Sequence, residues 1–321
     1  MQVSKDALGE FFKNFRSVDL AAGLTGGLTS TLCCHPLDIV KIRLAVNDGF
    51  KSRPYYENIR HICKSIYKNG GVFGFYQGVT PNLIGASASW GLYFYFYNAF
   101  KKFWANDGTS QPKILSPGTH MFSAALSGAV TLAFTNPVWV AKTRLCLQYE
   151  SNSANGPSAK PRGQVVMYRG FVDCLLKTYR LEGVKGLYSG FSAGLIGVSH
   201  GAFQFMAYEE MKKWHRRKYS SNASNQKHSS EEVKLATKWY LLFSASSKFF
   251  AVVITYPYQV VRARLQDQHR VQHGVAHVVK YTYTQEGMRG FYKGLLPSMV
   301  RVVPATCITF VVYEEFSSAF K

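Results

Sequence analysis

The stretch Pro36-Leu-Asp-Ile-Val-Lys-Ile-Arg43 constrains this chain more than any other, because it returns as Pro137-Val-Trp-Val-Ala-Lys-Thr-Arg144 and again as Pro257-Tyr-Gln-Val-Val-Arg-Ala-Arg264. Each copy closes a largely apolar segment, sets a proline where a helix would kink, and follows it with a cation five residues on and another two beyond. A second element trails each copy: Gly71-Val-Phe-Gly-Phe-Tyr-Gln-Gly78, Glu182-Gly-Val-Lys-Gly-Leu-Tyr-Ser-Gly190 and Glu286-Gly-Met-Arg-Gly-Phe-Tyr-Lys-Gly294. Three such pairs in register are three repeats of one structural unit.

Charge-free runs at Leu20 to Leu37, Gly78 to Phe100, Ile114 to Ala141 and Leu187 to Tyr208 are each long enough to cross a hydrocarbon core of about 30 Å. The mean hydropathy of −0.09 is low for a membrane protein. The runs are rich in Ser, Thr, Asn and Gly, which suits helices bundled around a wet cavity. The expected fold is therefore an all-α membrane protein with six transmembrane helices in three pseudo-threefold repeats. The spans are expected at about Ser17–Val46, Pro81–Trp104, Ser116–Tyr149, Phe191–Arg217, Leu235–Asp267 and Leu296–Ala319. Short surface helices are expected near Tyr56–Lys68, Arg169–Arg180 and Val275–Tyr283. Residues 1–16 read as an exposed lead, 17–107, 113–218 and 234–321 as the repeats, and 219–233 as a polar linker. The stretch from Ser151 to Gly163 reads as a polar loop.

The net charge of +20 points to anionic partners, and 15% aromatic content is compatible with nucleic acid. No nucleic-acid recognition motif occurs, and a soluble basic nucleic-acid-binding protein would not carry the charge-free runs. Much of the excess sits in the loops after the first two signatures, at Lys51, Arg53, Arg60, Lys64 and Lys68, then at Arg162, Arg169, Lys177, Arg180 and Lys185. This places those loops on one side of the membrane. The six cysteines form no C-x-x-C, so no metal site is expected. Without a nucleophile–base pair or phosphate loop, no enzyme is expected either. Asp6, Glu10 and Asp19 interrupt any transit sequence at the N-terminus.

The repeats resemble those of the mitochondrial carrier family, which read Pro-x-acid-x-x-base-x-base, a spacer, then acid-Gly and an aromatic-base-Gly turn. The resemblance runs from about Asp19 to Phe320. Within the family, Thr135 to Arg144, Ser89-Trp-Gly-Leu-Tyr-Phe94 and Ser199 to Tyr208 are most similar to the folate/FAD transporter branch. The Pro-x-Trp variant of the second repeat is also similar to NAD and pyrimidine nucleotide carriers. The resemblance implies a monomeric, multi-pass carrier of the mitochondrial inner membrane, working by alternating access, with both termini toward the intermembrane space. It implies no cofactor, a small anionic substrate (folate, tetrahydrofolate or FAD) and cardiolipin as a bound lipid.

Carried over residue by residue, the resemblance gives a matrix gate in which Asp38 pairs with Lys142, Trp139 with Arg262 as a cation over an indole, and Gln259 with Lys41, while Gln266 survives as a brace where Ala45 and Cys146 occupy the other two brace positions. A cytoplasmic gate is implied at Asn98, Lys101, Glu209, Lys212 and Glu314, and substrate contacts at Gly85, Ile196, Gly197 and Arg301, with Trp139 and Arg262 beneath them. Arg301 and Lys248 interrupt apolar segments, and intramembrane cations are functional candidates by default. Gly85 and Gly197 are expected to leave room for a broad flat ring. His200 is open to two readings, substrate contact or packing. Gly78, Gly190 and Gly294 with Lys293 are expected to hold cardiolipin phosphate at helix starts.

Overall fold

The structure is a computed structural model that describes residues 17–48, 54–105, 117–148, 166–220, 237–268 and 274–319. The expected lead at 1–16, the loop at 151–163 and all of the linker expected at 219–233 but its first two residues, which are helical, lie outside the described residues. Six long helices appear within a turn of their expected bounds: α1 (Ser17–Ala45), α3 (Val79–Ala105), α4 (Pro117–Cys146), α6 (Phe191–Ser220), α7 (Thr237–Gln266) and α9 (Leu295–Ala319). Three shorter helices, α2 (Ile59–Gly70), α5 (Phe171–Leu187) and α8 (Val275–Glu286), stand between the two long helices of each repeat. The chain is thus all-α, in three like repeats.

Each proline-bearing helix packs along the second helix of a different repeat: α4 on α3, α7 on α6, and α1 on α9. The last pairing joins the first helix to the last and closes the bundle into a ring. Within a repeat the two long helices touch far less. The apolar core lies at the proline end, where Ile39 and Val40 of α1 meet Ile62 and Ile66 of α2. Ala141 and Leu145 of α4 meet Cys174 of α5, and Val261 of α7 meets Val278 of α8.

The outer surface is apolar, with Trp90, Phe94, Phe205, Met206, Val303 and Phe310 among its exposed side chains. So much exposed aromatic and aliphatic surface fits contact with lipid, not water. Among the described residues only two segments, Gly118–Cys146 and Met288–Phe316, meet the length and hydropathy of a span by themselves.

Candidate translocation site at the proline signatures

The three signatures bring α1, α4 and α7 together at one end. Three glycines enforce the close approach. Gly78, Gly190 and Gly294 all have positive φ, at 77°, 72° and 87°, a region that glycine enters without strain. A β-carbon would lie 2.9 Å from Cys146 Sγ at Gly78, 3.2 Å from the Arg262 carbonyl at Gly190 and 2.8 Å from the Lys41 carbonyl at Gly294. Each turn is therefore pressed against the end of a proline-bearing helix from another repeat. Lys293 bonds to the Asn47 carbonyl at 2.5 Å and lies 3.2 Å from Glu286. The expected lipid group thus coincides with a packing joint between repeats.

The last arginine of each signature closes a second ring. Arg43 Nε donates to the Cys146 carbonyl at 3.1 Å, Arg144 Nε to the Gln266 carbonyl at 3.3 Å, and Arg264 Nε to the Ala45 carbonyl at 3.0 Å. Carbonyls at a helix C-terminus lack intrahelical partners, and here each is capped by the arginine of another repeat. The residue before each proline ties the repeat internally. His35 Nε2 donates to the Gln77 carbonyl, Asn136 to the Leu187 carbonyl and the Tyr256 hydroxyl to the Lys293 carbonyl, at 2.9, 2.9 and 3.2 Å. Sequence reasoning passed over both sets. Their fixed offsets from the prolines, one before and seven after, were the available signal.

Inside these rings lie the expected gate residues. Lys142 Nζ sits 3.4 Å from Asp38 Oδ2, and Lys41 Nζ donates to Gln259 Oε1 at 2.8 Å. Gln266 is buried and accepts from Thr143 Oγ1 at 2.7 Å, reaching from α7 to α4. The third expected pair does not form. The ammonium over the Trp139 ring is Lys142, 5.2 Å from the centroid, because the two stand three apart on one helix face. Arg262 turns instead to Asn136 Oδ1 at 3.3 Å and rests its guanidinium beside Gly194.

Arg301 reaches down from α9 and places Nη1 3.0 Å from Asp38 Oδ1. Asp38 is therefore shared between a gate lysine and the cation expected to meet substrate. The two contact glycines do not leave open room. A β-carbon on Gly85 would meet the Trp139 indole at 3.5 Å, and one on Gly197 would overlap the Tyr258 ring at 2.7 Å. Each glycine is a seat for an aromatic from the neighbouring proline helix. The ring surface lies on α4 and α7, and Tyr258, directly after Pro257, was missed in the sequence. Ile196 is exposed.

Lys248 is half-buried with no ion-pair partner among the described residues. It lies within electrostatic reach of His200, which bonds to Thr255 Oγ1 at 2.8 Å across α6 and α7. At the far end α3 meets α4 through Tyr97 and His120 at 3.0 Å, and α6 meets α7 through His215 and Trp239. Lys101 and Glu314 are exposed, and Lys212 meets only Glu209 of its own helix, at 3.8 Å. Among the described residues no ion pair links two of α3, α6 and α9 there, and Asn98 joins none. The bundle is closed at its proline end and unlatched at the other.

The sequence profile described as "Mitochondrial carrier protein" matches residues 14–108, 113–219 and 236–321. This chain belongs to the mitochondrial carrier family. It is 40% identical over 312 residues to "Folate transporter 1, chloroplastic" of Arabidopsis thaliana, covering 94% of each chain. It is 33% identical to "Nicotinamide adenine dinucleotide transporter 2, mitochondrial" of the same plant, over 97% of this chain and 82% of the relative. It is also 33% identical to "Mitochondrial nicotinamide adenine dinucleotide transporter 1" of Saccharomyces cerevisiae, over 92% of this chain and 75% of the relative. The relatives are transporters, which agrees with a family member that moves a small solute.

Proposed function

We propose that this carrier moves a flat anionic cofactor, folate, tetrahydrofolate or FAD, across the mitochondrial inner membrane by alternating access. The observation that carries the reading is the Arg301–Asp38 pair at 3.0 Å. An arginine fork holds a carboxylate or phosphate in two parallel hydrogen bonds, and Asp38 takes only one nitrogen of that fork, Nη1, in this structure. An incoming anion competes with Asp38 for Arg301. Asp38 then keeps Lys142 as its ion-pair partner and the neutral Asn82 amide, so loading changes the charge balance of the gate. A ligand that interacts differently with the two gated states shifts the population between them. Lys248, half-buried and without an ion-pair partner among the described residues, supplies a second cation for an elongated substrate, and Trp139 and Tyr258 supply ring faces.

In this reading the proline end faces the matrix, both termini face the intermembrane space, and Asn98, Lys101, Glu209, Lys212 and Glu314 form the gate that closes when the proline end opens. The carrier acts as a monomer, with cardiolipin phosphate at the turns of Gly78, Gly190 and Gly294. The likeness to a folate transporter at 40% identity over nearly the whole of both chains supports the folate branch. A second reading, an NAD carrier, is supported by the two relatives of that name at 33%.

Uptake of labelled tetrahydrofolate, FAD and NAD into liposomes containing the purified protein tests the choice, with Arg301→Ala beside the wild type. Saturable uptake of folate or FAD, reduced at least tenfold in the variant, is expected. Uptake of NAD alone would overturn the folate/FAD reading and leave the carrier.

A further inference from the structure

The gate has lost acids but kept all its bases. Where the family pattern has an acid, the second and third signatures carry Trp139 and Gln259, while Lys41, Lys142 and Arg262 remain. Between α1, α4 and α7 these residues enclose a pocket of about 250 Å³, walled also by Tyr256, Tyr258 and Thr143. Three cations line it and no carboxylate does. Asp38, the acid nearest to it, is already drawn toward Arg301.

Lys142 has Asp38 at 3.4 Å, but the other two cations are poorly compensated within the protein. Lys41 has the neutral oxygen of Gln259 at 2.8 Å and the Tyr256 ring at 5.6 Å. Arg262 gives one hydrogen bond to Asn136, at 3.3 Å, and its Nε is buried with no partner. A buried charge without a partner is destabilising, and a buried donor without an acceptor adds to that. The pocket therefore holds positive potential, an unused guanidinium donor and space. Its volume falls below the roughly 300–1,000 Å³ that buries a drug-sized ligand. It is ample for one hydrated oxyanion, since a water takes about 30 Å³.

We propose that this pocket binds a single oxyanion, a phosphate or carboxylate, that stands in for the two missing acids and holds the gate shut. The anion bridges Arg262 on α7 to Lys142 on α4 and Lys41 on α1, and so joins all three repeats where Lys142–Asp38 is the one ion pair between signatures among the described residues. The occupant is either free phosphate or the anionic end of the carried molecule. The inference deepens the carrier reading without depending on which cofactor is carried.

The test is the melting temperature of the purified carrier in phospholipid-free detergent, titrated with sodium phosphate against sodium chloride at matched ionic strength. A ligand that binds only the folded state raises the melting temperature with its concentration. Wild type is expected to gain several degrees with phosphate and not with chloride. Arg262→Gln should lose that gain. Gln259→Glu, which supplies an internal anion beside Lys41, should melt higher without phosphate and gain at least twofold less from it, so both variants blunt the response to phosphate. Radiolabelled phosphate should bind with a stoichiometry near one. Displacement of that label by folate or FAD assigns the site to the end of the substrate, and persistence assigns it to the free ion. No phosphate effect on wild type, or one that survives in Arg262→Gln and vanishes in Lys293→Gln, overturns the proposal. Failure of folate and FAD uptake would leave these results untouched.

Discussion

The first repeat and the other two solve the same joint with different chemistry. In repeats 2 and 3 the last signature arginine meets a carboxylate at the end of the surface helix: Arg144 Nη2 donates to Glu182 at 2.7 Å, and Arg264 Nη2 to Glu286 at 2.8 Å. In repeat 1 that position is Gly70. Arg43 turns instead to the Gln77 side chain at 3.0 Å and to the Gln148 carbonyl at 3.4 Å. The Nε bond to the next repeat is the same in all three. The difference teaches that threefold geometry rests on the backbone carbonyls, and that the acid sets the strength of the joint, not its shape.

The comparison breaks most sharply if the acid proves dispensable. Glu286 takes Arg264, whose side chain is fully buried, and also lies 3.2 Å from Lys293. Glu286→Gln should lower stability by about 3–5 kcal/mol, the cost of removing one partner of a buried pair. Thermal melting of the purified protein reads this directly. Glu182→Gln should cost less, because Glu182 is 29% exposed. Gln77→Ala in repeat 1 should cost about 1–3 kcal/mol, the loss of a hydrogen bond to a charged group. Equal losses in Gln77→Ala and Glu286→Gln would end the distinction between the joints.

Restoring the missing acid sharpens the comparison from the other side. Gly70→Glu, at the last residue of α2, should raise stability by about 1.5–3 kcal/mol through a charged hydrogen bond if the carboxylate reaches Arg43. A double variant with Gln77→Ala tests that contact: the ion pair should protect against the loss of Gln77. No protection would mean that the surface helix of repeat 1 is set differently from its counterparts.

The smallest effect concerns the same surface helices. Cys174 on α5 is fully buried, and burial pushes its thiol up to about 11, so almost no thiolate is present near pH 8 and it should resist maleimide in the folded protein. Cys63 on α2 is partly exposed and should react. Mass spectrometry after brief labelling checks the order. Labelling of Cys174 at the rate of Cys63 would show that the second joint opens more readily than its ion pair implies.

Much of this was legible in the sequence. The helices fell where apolar runs, prolines and glycines put them, and the contacts of Asp38 with Lys142 and of Lys41 with Gln259 followed from the threefold repeat. Other contacts were not legible. Arg262 was expected over Trp139 and lies beside Gly194 with Asn136. Arg301 was expected free for substrate and holds Asp38. Gly85 was expected to open space and instead seats an indole.

The sequence by itself determined the repeats, the six long helices and which residue types stand at each level of the bundle. Those are matters of period, proline sterics and glycine conformation, all local to a few turns of chain. Only the tertiary structure decided which cation took which acceptor. A guanidinium within reach of a carboxylate, a carbonyl and a ring goes where distance and burial favour it, and those distances are set between helices brought together from different repeats. The same physics leaves three bases around one pocket without an acid in its wall, a feature that appears only when the signatures are folded against each other.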